Sequence, residues 1–400
     1  MVEMKTLGEI ATLQKTKNKQ HLTENAYSIT QAGLVPTKSF FKEKTNVTSS
    51  DTSGYYIVEK DWFVYSPSRI DVGSINYLKD EGPVIVSPID VVFSVDSNIC
   101  IPAYLLEYFF TYKGKKDLLK NREGVEGMGR RNLPFDAIKG VQIPLPPLSE
   151  QQRIVSILDT FTSAIDNLKE QIAQRRKQYE YYRDQLYYAS KADLLEASRN
   201  GKAIVKSLDE LGTFTRGRRF VRTDIVPEGV PCIHYGDMYT YYGVSAEETP
   251  THLTKELSSK LRFAKNGDVV IVAAGENDLD IGVGVAWLGK EPVVVHDACF
   301  IYEHKMNPKY LSHFMRSRNY HQQIRMGVVD GKICSISAKE LGRALIAVPP
   351  LSDQQRIVSI LDTFEASIQN LEAQLKEREK QYEYYRNKLL TFERDGEKDS

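Results

Sequence analysis

Two sets of basic side chains are spaced for contact with a polyanion. Lys15, Lys17 and Lys19 follow a Leu7-Gly8 pair, and Arg216, Arg218, Arg219 and Arg222 follow Leu211-Gly212. A further set, Lys113, Lys115 and Arg122, recurs as Arg316, Arg318 and Arg325 at an offset of 203 residues, and Arg130-Arg131 adds to the first half. Lysine and arginine bind phosphate oxygens, and the arginine fork also reads the acceptor pair on a guanine edge. Gly217 and Phe220, inside the arginine run, would let a loop approach a groove closely. The same residues also fit a solvated face with local ion pairs, and spacing alone does not separate the two.

Residues for bond-making chemistry are poorly placed by contrast. No G-x-x-x-x-G-K-[ST] phosphate loop is present, since Gly331-Lys332 lacks the upstream glycine and the hydroxyl. Gly282-Val-Gly284 reads as a tight β segment, and neither H-E-x-x-H nor G-x-S-x-G occurs. Asp297 with Glu303-His304-Lys305 has the residue types of a metal-dependent nuclease, but one such match in 400 residues is expected by chance. The sequence therefore predicts no catalytic residue, no metal ligand and no cofactor held by this chain.

Elements able to position the basic sets must come from a chain of 400 residues, which at roughly 100–200 residues per domain suggests two to four domains. Hydrophobic residues at 41% and charged residues at 26% are those of a globular protein. The N-terminus lacks a basic stretch leading into an apolar run, and runs such as Val269–Ala274 fall far short of the ~20 residues that span a bilayer. The expectation is a soluble, cytoplasmic chain with no membrane partner. Cys100, Cys232, Cys299 and Cys334 form no C-x-x-C, so reduced thiols are expected. The 53 basic and 53 acidic residues cancel, which at first argues against nucleic acid. Their distribution argues the other way. Residues 1–145 carry 18 basic against 17 acidic side chains and residues 201–348 carry 19 against 17, while residues 349–400 carry 8 against 11.

An internal repeat organises the chain. Pro146-Pro-Leu-Ser-Glu-Gln-Gln-Arg-Ile-Val-Ser-Ile-Leu-Asp-Thr-Phe161 recurs at Pro349–Phe364 with one change, Glu150 to Asp353. Gln178-Tyr-Glu-Tyr-Tyr-Arg183 recurs as Gln381–Arg386. Each copy reads as a long helix, with Ser149 or Ser352 opening an S-x-x-Q capping box after a proline stop. Ile154, Leu158, Phe161, Ile165, Leu168 and Ile172 are spaced alternately four and three, as are Ile357, Leu361, Phe364, Ile368, Leu371 and Leu375. The pattern continues through Arg175, Tyr179, Tyr182 and Leu186 and through Arg378, Tyr382, Tyr385 and Leu389. This is a coiled-coil seam broken only by the two arginines.

The helices are expected to pair antiparallel, because a parallel pair would make the chain retrace ~50 Å at 1.5 Å per residue. The fold class is therefore α+β, with a pseudo-two-fold repeat: a globular domain at 1–145, a helix segment at 146–200, a second domain at 201–348, and a helix and tail at 349–400. Runs such as Tyr55–Val58, Val84–Ser87, Val91–Val95, Asp268–Ala273 and Val293–Val295 predict strands, with helices near Tyr104–Tyr112 and Lys309–Ser317. Two similar but non-identical domains at that separation suit two different DNA segments about one turn apart, with an unread spacer between them.

Ile143-Pro-Leu-Pro-Pro-Leu-Ser-Glu-Gln-Gln-Arg-Ile154 and Val348-Pro-Pro-Leu-Ser-Asp-Gln-Gln-Arg-Ile357 resemble the signature of specificity (S) subunits of type I restriction-modification systems. Gly129–Phe135, Val86-Ser-Pro88 and Tyr235-Gly-Asp237 are similar to further family segments, so the resemblance covers the whole chain. It implies a non-catalytic reader of double-stranded DNA. Two modification subunits holding S-adenosylmethionine would dock on the helices and methylate adenine N6, and restriction subunits would supply ATP- and Mg2+-dependent cleavage. Gln151, Arg153, Gln354 and Arg356 are candidate docking residues, with helix capping and solvation as the other reading. A coiled-coil scaffold tethering two protein-binding domains shares the helices but predicts no salt-dependent DNA affinity. An autonomous methyltransferase-nuclease is disfavoured, because no segment is left over for a catalytic domain.

Overall fold

A computed structural model of the chain describes residues 2–30, 33–40, 51–120 and 133–392. Contacts divide it into two units, Met1–Lys169 with Ala373–Ser400, and Glu170–Glu372. Each unit thus takes the start of one long helix and the end of the other. The long helices run Leu148–Leu186 and Leu351–Leu390.

In the first unit an antiparallel sheet orders its strands Ala11–Gln14, Val91–Val95, Phe63–Tyr65 and Ile75–Tyr77. Phe63 and Phe93 stack across it with ring centroids 4.9 Å apart. Helix Pro102–Phe110 covers one face, burying Tyr104, Leu105, Tyr108 and Phe109; Pro102 lies in its first turn, where a missing N–H costs nothing. Helix Tyr112–Leu119 follows, capped by the Thr111 hydroxyl accepting from Gly114 N. Strand Glu3–Thr6 pairs with Gln142–Leu145 just before the first long helix.

The second unit repeats this plan on a larger scale. Its main sheet runs Gly212–Arg216, Cys299–His304, Val269–Val272, Gly284–Trp287 and Ser245–Ala246. A second sheet contains Thr251–Leu253, Val230–Ile233, Val293–Val295 and Phe263–Ala264. Helices Pro308–Phe314 and Arg318–Ile324 match the helix pair of the first unit, and Val205–Ser207 pairs with Leu345–Ala347 as Glu3–Thr6 does with Gln142–Leu145. The fold is therefore mixed α and β with an internal repeat, as the sequence predicts.

Within each unit the long helices pack antiparallel, and the contacts are equivalent. In the first unit Phe161 stacks on Tyr385 at 5.3 Å and the Arg378 guanidinium lies 5.9 Å from the Phe161 ring. In the second unit Phe364 stacks on Tyr182 at 5.4 Å and Arg175 lies 5.9 Å from Phe364. The two arginines that interrupt the seam thus cover its phenylalanines, each held by a neighbouring glutamine: Arg175 donates to Gln178 Oε1 at 3.1 Å and Arg378 to Gln381 Oε1 at 3.0 Å. Ile154, Leu158, Ile165, Ile172, Ile357 and Leu361 are buried, whereas Phe161, Leu168, Phe364, Ile368, Leu371 and Leu375 are half-buried.

The helix starts differ from expectation. Both begin at the leucine before the serine, so Ser149 and Ser352 lie inside the first turn and form no capping box. The carbonyls of Pro147 and Pro350 instead accept from Glu150 and Gln151, and from Asp353 and Gln354, at 2.8–3.0 Å. The first long helix stops at Leu186, where Tyr188 takes a left-handed backbone (φ 61), and a separate helix, Lys191–Arg199, is capped by Ser190.

Candidate nucleic-acid interface

The basic loops that follow the first strand of each main sheet occupy equivalent places. Lys15, Lys17 and Lys19 are exposed, and buried Asn18 fixes the loop between them: its amide donates to Thr23 O at 2.9 Å and its Oδ1 accepts from Leu22 N at 2.9 Å. In the second unit Gly217 and Phe220 are the buried anchors. A Cβ on Gly217 would fall 2.3 Å from His296 O, so only glycine lets this loop lie against the strand beside it. Arg216 donates to Asp297 O at 2.8 Å and Arg218 to Lys260 O at 2.7 Å, so both are partly used by the fold. Arg219 and Arg222 are exposed, and their side chains make no hydrogen bond or ion pair among the described residues.

The other basic set does not superpose. Helix Pro102–Phe110 corresponds to Pro308–Phe314 at an offset of 206, because Tyr104 Oη donates to Pro144 O (2.6 Å) as Tyr310 Oη does to Ala347 O (3.1 Å). Lys113 therefore faces the place of Asn319, and the match of Lys113, Lys115 and Arg122 with Arg316, Arg318 and Arg325 is a coincidence of sequence numbering. Arg316 is corrected as a phosphate contact: its guanidinium is half-buried and donates to Gly284 O, to Gly243 O at 2.7 Å and to Ser312 O at 3.3 Å. Lys113 is exposed but paired with Asp117 at 2.8 Å, and Lys115 lies over Phe110 at 5.9 Å. Arg318 and Arg325 are exposed, and the Arg318 backbone N–H donates to Asp184 of the long helix at 3.0 Å. Arg122, Arg130 and Arg131 lie outside the described residues.

Two of the four docking candidates are also corrected. Gln151 is fully buried: its Oε1 accepts from Ile101 N, and its Nε2 donates to Ile99 O and Pro146 O, all at 2.9 Å. Gln354 likewise accepts from Asn307 N at 2.9 Å and donates to Pro349 O at 2.8 Å. They tie each helix start to the backbone of the domain before it and present nothing to a partner. Arg153 and Arg356 do remain on the surface, beside Glu150 (2.7 Å) and Asp353 (3.7 Å).

Sequence reasoning missed the polar junctions between the sheets and the long helices. Tyr382 Oη donates to both carboxylate oxygens of Glu107 at 2.8 Å, and burial raises the Glu107 pKa above its ordinary 4.5 against that hydrogen bond and Arg386. In the second unit Tyr179 Oη lies 2.9 Å from His313 Nδ1, and His313 Nε2 lies 3.3 Å from Asp362 Oδ1. Burial lowers the His313 pKa below its ordinary 6.5 although Asp362 opposes it. His313, Asp362 and Glu365 bring one ligand atom each within 4.8 Å of one another, beside a cavity of about 620 Å³. Lys309 Nζ sits on Asp362 at 2.6 Å and both imidazole nitrogens are engaged, so the group reads as an ion-pair network rather than a cation site. The His296–Asp297 and His304 positions bring no metal-ligand group together: His304 is half-buried with its pKa pushed down to about 4 by burial, its Nδ1 accepts from Met306 N at 3.2 Å, and its Nε2 is buried with no hydrogen-bond partner among the described residues.

Two similar α and β domains, each leading into one copy of a duplicated long helix, define a class of two-repeat protein. The chain belongs to the type I restriction modification DNA specificity domain family, whose pattern matches residues 1–175 and again 200–379. It is 30% identical over 317 residues to the type I restriction enzyme EcoR124I/EcoR124II specificity subunit of Escherichia coli, covering 76% of this chain and 74% of that one. Its fold is shared with a chain from the complex assembly of a type I R-M system (TM-score 0.57, 16% identity, 97% and 96% covered). It is shared too with the type I restriction-modification S subunit of M. genitalium (TM-score 0.52, 14% identity, 98% and 97% covered). Among the described residues no helix is long and apolar enough to cross a membrane.

Proposed function

We propose that this chain is the DNA-recognition subunit of a type I restriction-modification complex and performs no catalysis itself. Each recognition domain reads one half of a bipartite, asymmetric site on double-stranded DNA, and the long helices set the spacer between the halves. Two modification subunits dock on the duplicated helices and methylate adenine N6 with the S-adenosylmethionine they bind. Restriction subunits, where present, add ATP- and Mg2+-dependent cleavage of unmodified DNA. The observation that carries this reading is the repeated packing of Phe161–Tyr385–Arg378 and Phe364–Tyr182–Arg175, which presents the same helix surface twice next to two unlike domains. Because methylation takes the adenine out of the stack into the partner's pocket, this chain need only hold register on the duplex. Exposed Lys15, Lys17, Lys19, Arg219 and Arg222 supply phosphate contacts, each adding to the slope with which affinity falls as salt rises.

Methylome sequencing of a host with and without the chain and its modification subunit tests this. A bipartite N6-methyladenine motif that disappears with the chain is expected, and its absence would sink the proposal. Replacing residues 201–348 with another recognition domain should change one half-site only.

A further inference from the structure

Four rings meet in the second unit where two parallel strands end. Centroids are 5.0 Å apart for Phe220–His296, 5.0 Å for His234–His296 and 4.6 Å for His234–Tyr235. Strands Val230–Ile233 and Val293–Val295 run parallel with Cys232 beside Val294, which puts His234 and His296 at matching positions just beyond the strand ends. His296 is fully committed: its Nε2 lies 3.0 Å from Phe220 O and its Nδ1 accepts from Ala298 N at 3.1 Å. His234 is half committed. Its Nδ1 accepts from Gly236 N at 3.3 Å, while its Nε2 has no hydrogen-bond partner among the described residues. Burial lowers the pKa of both rings, with Asp237 opposing at His234 and Asp297 at His296, so both are neutral at pH 7. A neutral ring whose Nδ1 accepts carries its proton on Nε2. His234 is half-exposed, so an N–H donor stands at the surface on a packed aromatic base.

Its neighbours fit a nucleic-acid ligand. Arg219 and Arg222 are exposed, are unpaired among the described residues, and lie close enough to act electrostatically on His296 and His234 respectively. The Gly217 contact with the His296 backbone fixes the loop that carries Arg219 to the same strand end. Among the described residues the first unit has nothing equivalent at this place. There Ala26 pairs in parallel with Ile85, and the positions two residues on are Ser28 and Ser87; Ser28 Oγ is engaged with Thr37 Oγ1 at 2.9 Å.

We propose that His234 is a specificity-determining residue of the second recognition domain, its Nε2–H donating to an acceptor on a base edge while Arg219 and Arg222 hold neighbouring phosphates. In the major groove guanine, adenine and thymine each offer an acceptor, whereas cytosine offers only a donor. The half-site read by this domain therefore excludes cytosine at the contacted position of one strand. The inference rests on the DNA-recognition reading above.

The test is a methylome comparison of the full chain with its modification subunit, carrying His234→Ala, His234→Gln or Arg219→Ala. His234→Ala should leave the first half-site intact and relax one position of the second, so that discrimination against cytosine there falls about tenfold, the scale of one lost base-edge contact. His234→Gln keeps an N–H donor without the ring and should hold the wild-type motif, even if His234→Ala proves too unstable to score. Arg219→Ala should lower methylation at all sites without altering the motif. An unchanged motif in a folded His234→Ala chain would overturn the inference, as would equal relaxation by the alanine and glutamine variants, which would assign the effect to ring packing. Loss of both half-sites in the wild type would instead remove the recognition reading, and this inference with it.

Discussion

The same tyrosine, delivered by an almost identical helix, ends on two different partners. Tyr382 donates directly to Glu107 on a helix of the first recognition domain. Tyr179, its counterpart, meets His313 in the matching helix, and the imidazole passes the interaction on to Asp362 of the second long helix. In both units the hydroxyl chain terminates on a carboxylate, but the carboxylate belongs to the recognition domain in one and to the long helix in the other. Asp159, the counterpart of Asp362, is exposed in the first unit. The comparison separates what the repeat holds constant from what it leaves free. The donor and its position are fixed, and each domain can vary the acceptor so long as the buried hydroxyl finds one.

The invariant half of the comparison predicts the largest effects. Gln151→Ala leaves three backbone groups without partners and should cost about 3 kcal/mol in denaturant unfolding, against about 2 kcal/mol for Gln354→Ala, which leaves two. Equal losses would break the argument that these clamps act through the backbone groups they satisfy. Next come the tyrosines. Tyr382→Phe removes the hydroxyl bonded to both oxygens of the half-buried Glu107 and should cost about 2 kcal/mol, while Tyr179→Phe removes a bond to a neutral imidazole and should cost about 1 kcal/mol.

The two acceptors should also respond to pH with opposite sign. His313 has a folded pKa below its ordinary 6.5, so below that value the unfolded chain binds the extra proton and stability falls as pH drops. Glu107 has a folded pKa above its ordinary 4.5, so as pH drops through that window the folded chain takes up the proton first and stability rises. Each group contributes a slope of at most about 1.4 kcal/mol per pH unit. Unfolding curves between pH 7 and 4.5 should show His313→Gln flattening the acid loss and Glu107→Gln steepening it. Identical profiles for the two variants would erase the distinction. The smallest effect is expected for Arg153→Ala and Arg356→Ala, whose ion pairs are exposed; their unfolding curves should overlay the wild type, and any defect should appear in co-purification with the modification subunit.

Much of the architecture was legible because it is written locally. The 203-residue repeat, the seam spacing and the strands Val91–Val95 and Val293–Val295 follow from patterns within a few turns of chain. What failed were readings that depend on tertiary partners. Glutamine on a helix start looks like surface, and only the otherwise unpaired backbone at Ile99, Ile101 and Pro146 makes burial of Gln151 favourable. The 203 offset holds for the helices but shifts to 206 in the segment beginning at Pro102 and Pro308, so basic residues aligned by number are not aligned in space. His234 and His296 are 62 positions apart and meet only because their strands run parallel.

The short strand pairs at the base of each recognition domain have a mechanical consequence. Glu3–Thr6 with Gln142–Leu145, and Val205–Ser207 with Leu345–Ala347, set the incoming and outgoing chain side by side and antiparallel. Ladder hydrogen bonds in such a pair lie across the strands. A pull that separates the two chain ends therefore loads these bonds one after another, as in a zipper, instead of shearing them together. The neck yields first under tension, and the sheet beyond it, with whatever surface it presents, feels the force only after that latch has opened.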